Sequence, residues 1–129
     1  FYDSIEACLA EKNIDFVLLS GSVQYLETPH PFLQQLAAYN FDFILFDRIA
    51  FNKHSFDRLT LQVVPPEIYP ASYPAWFFHE PFFLSHFTGK YKVASSFPSY
   101  VDGEAVMHID QKPVGYNKGF YLINQTKHA

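Results

Sequence analysis

The sequence predicts an α/β fold in which short parallel strands carry the core and an antiparallel pair forms the C-terminal edge. Three observations predict it. Two brief apolar runs, Ile14 to Leu19 and Phe41 to Phe46, flank a stretch of helical period. A third strand-like run, Tyr91 to Phe97, follows a short Phe-rich helical stretch. Two further runs near the C-terminus, Ala105 to Ile109 and Gly119 to Ile123, have the composition of paired strands.

In chain order, Ser4 is placed to cap a short helix with Ile5, Cys8 and Leu9 on one face, closed by Asn13. The run IDFVLL ends at the small polar turn Ser20-Gly21-Ser22. Thr28-Pro29 reads as N-cap and first helical position. That helix runs to Tyr39 with Phe32, Leu33, Leu36 and Ala37 as its apolar face, and Asn40 stops it. FDFILF then forms a buried strand ending at Asp47-Arg48. Strand, helix and strand in this order imply a right-handed parallel crossover.

The segment from Asp57 to Phe78 carries four prolines and the rings of Tyr69, Tyr73, Trp76, Phe77 and Phe78. Proline fixes φ and donates no backbone hydrogen bond, so a rigid, partly buried loop that walls a pocket or covers an interface is expected. Pro81 begins a helix with Phe82, Phe83, Leu84 and Phe87, stopped by Gly89. Ser99 to Gly103 is a turn, and Asp110 to Lys118 is the loop joining the last two strands.

Composition narrows the function classes. At 129 residues the chain builds one core and a single domain. Aromatic residues reach 19%, which points to a packed interface or an aromatic pocket. The net charge is −4 without a Lys/Arg cluster, which argues against a nucleic-acid footprint. The single cysteine, Cys8, rules out an intrachain disulfide framework and suits a reducing, cytoplasmic compartment. No apolar run reaches transmembrane length, so no membrane partner is expected. The chain opens at Phe1 without Met, which reads as part of a longer protein.

The segments SGSVQYL (Ser20 to Leu26), DRIAF (Asp47 to Phe51) and DRLTLQVVPPEIYPASYPAWFF together resemble the C-terminal half of an uncharacterised bacterial family of S-adenosylmethionine-dependent methyltransferases. The last segment, with its V-P-P-x-I-Y-x-x-S-Y-P-x-W pattern, is the most specific. The resemblance spans roughly Ile14 to Phe97. It implies a partial Rossmann-like sheet of the class I methyltransferase type and a methyl acceptor that is a sugar or another small polar molecule. It implies Ser20, Ser22, Gln24 and Tyr25 near the cofactor. Asp47, Arg48, Tyr69, Tyr73 and Trp76 become candidate substrate-binding residues. No catalytic residue is assigned.

Those enzymes hold the cofactor with a glycine-rich turn early in the sheet, where only glycine lets backbone approach so closely. This chain has five glycines and no G-x-G. S-adenosylmethionine is therefore expected in the intact protein, but not bound tightly by this stretch alone.

Bland readings stand beside these. Ser20 and Ser22 serve as turn caps, Tyr25 as core, Arg48 as an ion-pair anchor with Glu67 or Asp57, and the aromatic loop as a plug or dimer contact. The six histidines form no ligand-spaced pair, so no metal is expected. His54 is the best candidate base, against a solvated loop histidine. G-x-S-x-G is absent, so a hydrolase elbow lacks support. The competing class of function is a non-catalytic interaction or dimerisation module. An open sheet edge and the aromatic surface predict self-association or a missing N-terminal segment.

Overall fold

The computed structural model describes residues 1–68 and 71–128. The elements run α1 (Ile5–Glu11), β1 (Phe16–Ser20), a single 3-10 turn (Val23–Tyr25), α2 (Pro29–Ala38), β2 (Phe43–Asn52), β3 (Arg58–Val64), β4 (Ala71–His79), α3 (Glu80–Ser85), β5 (Tyr91–Pro98), β6 (Met107–Ile109) and β7 (Lys112–Asn124).

Local chemistry sets the helix ends. The Ser4 hydroxyl accepts from the Ala7 amide at 3.1 Å and caps α1. Pro29 opens α2, though the Thr28 side chain makes no cap bond. Asn40 ends α2 at φ 66°, a left-handed conformation that asparagine tolerates.

The sheet has two halves that share two long strands. In one half β1, β2, β7 and β5 lie side by side; in the other the order is β3, β4, β2, β7, β6. β1 pairs with β2 in parallel from Phe16↔Phe43 to Ser20↔Asp47, with α2 between them in the chain. β4 takes over the same side of β2 further on, in parallel at Phe51↔Phe78 and Asn52↔His79. β7 runs antiparallel along the whole of β2.

Between the halves β2 carries a bulge. Asp47 and Arg48 together oppose Gly119, and Arg48 adopts φ 56°. The bulge changes the phase of β2. Ile44 and Phe46 belong to the main core before it, and Ile49 and Phe51 after it. An unbroken alternation would turn the second pair to the opposite face. All three helices pack on this main core: Ile5 and Leu9 from α1, Leu33 and Leu36 from α2, and Phe83 from α3. A smaller cluster of Ala50, Phe77 and Ile109 lies apart from it.

The expectation of a helix-rich, partial Rossmann-like α/β sheet is overturned. Strand takes 44% of the chain and helix 21%, so the fold is a mostly β, mixed sheet. The proline-rich segment is the main cause. It is not a loop: β3 and β4 pair antiparallel from Arg58↔Phe77 to Val64↔Ala71. Pro65 and Pro66 fall after β3 ends. Pro74 lies in the part of β4 that reaches beyond its pairing with β2, so only one of its edges is in a ladder. The C-terminal strands differ as well. β7 extends through most of the expected loop, and it is central rather than an edge. Asp110 and Gln111, at φ 51° and 67°, form the two-residue turn that joins β6 to β7. A residue with positive φ at both positions is the geometry that matches strand twist.

Gly119 is the residue the bulge requires. A Cβ there would run into the Phe97 ring and sit 2.6 Å from the Phe46 carbonyl oxygen. Gly119→Ala should destabilise the protein by roughly 2–3 kcal/mol through forced displacement of backbone and ring. Urea denaturation checks this; a midpoint unchanged from wild type would contradict it.

Candidate functional site

The residues that the sequence singles out meet where β1 ends beside the β2 bulge. The parallel register sets Ser20 opposite Asp47. The Ser20 hydroxyl donates to Asp47 Oδ2 at 3.3 Å, and the Gly21 amide donates to the Asp47 carbonyl at 2.9 Å. Gly21 takes φ 55°, which lets the chain turn sharply out of β1. The 3-10 turn follows at once. Val23 and Gln24 are buried beneath it, and Tyr25 and Leu26 are exposed above it.

Gln24 is a hinge pin between this turn and the bulge. Its Nε2 donates to the Arg48 carbonyl oxygen at 3.0 Å. Its Oε1 is buried with no hydrogen-bond partner among the described residues. A bare buried amide oxygen costs free energy unless a donor reaches it. Ser22 sits at the N-terminal boundary of the turn, and its side chain makes no cap bond there.

Arg48 does not pair with Glu67 or Asp57. Its guanidinium grips Glu104 in a two-point fork, Nε to Oε1 at 3.0 Å and Nη2 to Oε2 at 2.7 Å. Glu104 also accepts from Ser99 Oγ at 2.7 Å and from Asn117 Nδ2 at 2.8 Å. The Arg48 hydrogen bonds, helped by Ser99 and Asn117, hold the Glu104 carboxyl down at about 2 against the opposing effect of burial. The same pairing holds the Arg48 guanidinium above its ordinary range.

The aromatic candidates divide. Tyr25 and Tyr73 meet edge to face, ring centres 5.6 Å apart. Burial, with Tyr73 alongside, pushes the Tyr25 phenol up. Trp76 shares with Tyr25 a cleft of about 360 Å³ lined by Tyr25, Leu26, Glu27, Leu59, Pro74 and Trp76. Trp76 also packs on the main core, so it is both wall and structure. Tyr73, three residues earlier in β4, lines instead a larger groove of about 990 Å³ with Leu61 and Val63 of β3 and Met107 and Ile109 of β6. Asp47 and Arg48 are not among the residues lining the cleft. Tyr69 lies outside the described residues. His54, the candidate base, donates its amide to Asn52 Oδ1 at 2.8 Å and stacks on Phe56. It is not among the residues lining the cleft.

The sequence reading missed the partners that matter electrostatically. Glu104 reaches Arg48 from 56 residues away, steadied by Ser99 and Asn117, and no local spacing announces them. Among the described residues, no group of three or more His, Cys, Asp or Glu is placed to hold a metal ion. None of the described helices is long and apolar enough to cross a membrane.

The residues present do not build a cradle for S-adenosylmethionine. Gly21 is the single glycine on the connection after β1, and a Cβ added there would meet open space rather than a closely approached partner. The Asp47 carboxylate is already engaged by Ser20. No protein-family model, no curated protein and no solved structure matches the chain. The methyltransferase resemblance accordingly rests on its three sequence segments.

The Arg48–Glu104 fork yields a pH test. A carboxyl held at about 2 when folded and near 4.5 when unfolded contributes stability that is present above pH 4.5 and lost as pH falls toward 2. Glu104→Gln should cost roughly 2 kcal/mol at neutral pH. It should also flatten the acid limb of the stability curve over that window. Chemical denaturation at a series of pH values measures both; an acid limb identical to wild type would remove the role assigned to Glu104.

Proposed function

We propose that the cleft between the β1–α2 connection and β4 is the acceptor side of a small-molecule methyl-transfer site, with S-adenosylmethionine as the donor in the intact protein. The observation that supports it is convergence. Two segments far apart in the chain, Tyr25 to Glu27 and Pro74 to Trp76, wall the cleft together, and Gln24 anchors the first of them to the β2 bulge through the Arg48 carbonyl. A volume of about 360 Å³ is in the range of small-ligand pockets and suits an acceptor of monosaccharide size. Its walls, Tyr25 and Trp76, offer faces for stacking on a sugar ring, and Glu27 offers a carboxylate for its hydroxyls. Methyl transfer requires chiefly alignment of the acceptor, which the aromatic walls of the cleft supply. The residues here bind and orient the acceptor; the donor is held largely by other groups.

A second reading, a dimerisation module, has its own observation. β3 forms one edge of the sheet, and Leu59, Leu61 and Val63 along it are exposed. An apolar open edge is a template for pairing with a second copy.

The test is transfer of labelled methyl from S-adenosylmethionine to a panel of small hydroxyl and amine acceptors by the full-length protein. Tyr25→Ala should lower acceptor turnover about tenfold or more through loss of a positioning contact, with only a small change in melting temperature because the residue is half exposed. Absence of transfer to every acceptor, together with a dimer in sedimentation that Leu61→Lys dissociates, would replace the transferase reading with the module.

A further inference from the structure

Two helices on the main core are joined by histidines that lie 56 residues apart in the chain. His30 is the second residue of α2, directly after Pro29. His86 is the C-terminal boundary residue of α3. Their rings meet at 2.7 Å, His30 Nδ1 to His86 Nε2. On its other side His30 Nε2 is hydrogen-bonded to Asp57 Oδ2. Asp57 Oδ1 in turn accepts from the His79 amide at 2.7 Å, which fixes the carboxylate just ahead of β3. The His30 ring is stacked on Phe82, centres 4.2 Å apart, and set edge-on to Phe78. Asp57, His30 and His86 therefore form one continuous chain of hydrogen bonds from the residue just ahead of β3 to the C-terminal end of α3.

The chemistry of the chain fixes its protons. An ionised carboxylate only accepts, so His30 Nε2 carries a hydrogen and donates to Asp57. Neutral His30 then has a bare Nδ1, and His86 Nε2–H must donate to it. One added proton leaves the link intact, because one of the two facing nitrogens still lacks a hydrogen. Two added protons destroy it. Both facing nitrogens then carry hydrogens, and two cations stand in contact.

We propose that Asp57, His30 and His86 are a pH-operated clasp that fastens the first turn of α2 to the end of α3 and releases it when both rings are protonated. The surrounding charges leave these three groups to set the response. Glu80, the other charged residue of α3, is engaged by Lys118 and Tyr116. The His79 ring, on β4, is turned to the His54 carbonyl oxygen at 3.1 Å. Phe78 and Phe82 present only apolar surface. Burial first, and then His30, lower the His86 pKa below the ordinary 6.5, while Asp57 opposes them. The sign follows. As pH falls through 6.5 the unfolded chain takes up a proton that folded His86 resists, so stability drops until the lowered folded value is passed. A positive charge in the first turn of α2 also opposes the helix dipole. The clasp secures the far end of the connection that carries Gln24 and Tyr25, and its action does not depend on what the cleft binds.

Imidazole NMR titration of the unmodified protein tests the clasp directly. His86 should titrate below 6.5, and His30→Gln should move it back toward that value. Protection factors of the α2 amides from Phe32 onward, which correct exchange for its intrinsic slowing in acid, should fall from about pH 8 to about pH 5. His86→Gln keeps an amide N–H to donate to His30 but takes up no proton, so the protection factors there should lose most of that pH dependence. Over the same range the wild type should lose ~4 °C more in melting temperature than His86→Gln. A His86 that titrates at 6.5 in the unmodified protein, indifferent to His30→Gln, overturns the proposal. So does an identical pH dependence of the protection factors in wild type and His86→Gln.

Discussion

The pairing of β2 with β7 is the constraint on which the rest of the molecule depends. Each strand is long enough to serve two neighbours on its outer side: β1 then β4 beside β2, and β5 then β6 beside β7. The ladder runs from Phe43↔Ile123 to Asn52↔Gly115, and both clusters of buried side chains are built on it. Buried polar groups tie its ends. Asn124, fully buried, donates to Asn40 Oδ1 and to the Phe41 carbonyl just before β2. The Tyr91 phenol donates to the same carbonyl, and burial pushes that phenol up to about 12. At the other end Asn52 donates to the Phe77 and Phe78 carbonyls and so holds β4. Such groups are costly to bury unpaired, and each is satisfied here by the strand it positions.

The candidate site is a by-product of the same ladder. A bulge leaves one residue without a ladder partner and aims its neighbours in new directions. Here that releases the Arg48 carbonyl for Gln24 and swings the guanidinium to Glu104. A left-handed conformation at a non-glycine residue costs of order 1–2 kcal/mol. The two-point ion pair and the Gln24 bond are of the size needed to offset it. The strain in β2 and the anchoring of the β1–α2 connection are thus one arrangement seen from two sides.

How much of this was legible depended on whether the signal was local. The β1–α2–β2 unit is readable because its apolar runs and its helical period are contiguous in the chain. β2 itself reads as ending at Asp47-Arg48, because the bulge breaks the alternation there; Ile49 to Asn52 are still strand. β3 alternates cleanly, Leu59, Leu61 and Val63 against Thr60 and Gln62, but the prolines after it outweighed that pattern. The turn at Asp110-Gln111 lacks glycine, so nothing in it advertises a hairpin. The convergence of Ser20, Asp47 and Gln24 follows from parallel register and was within reach. The fork to Glu104 and the contact of His30 with His86 arise only from the three-dimensional path of the chain, and composition or spacing carries no trace of them.

The change of phase within β2 makes the chain unequal in its tolerance of length changes. Removing one residue between Phe46 and Ile49 would restore strict alternation and rotate everything after it by one face. Ala50 and Asn52 would then be presented to the helices, and Ile49 and Phe51 to the opposite surface. Gly119 would stand opposite a single residue, with the Phe97 ring still over it. One missing codon there exchanges two cores, whereas the polar Lys53 to Phe56 turn a few residues on has no such alternation to invert. Divergent sequences sharing this architecture should therefore vary in length freely at that turn and hold the two-residue step in β2 constant.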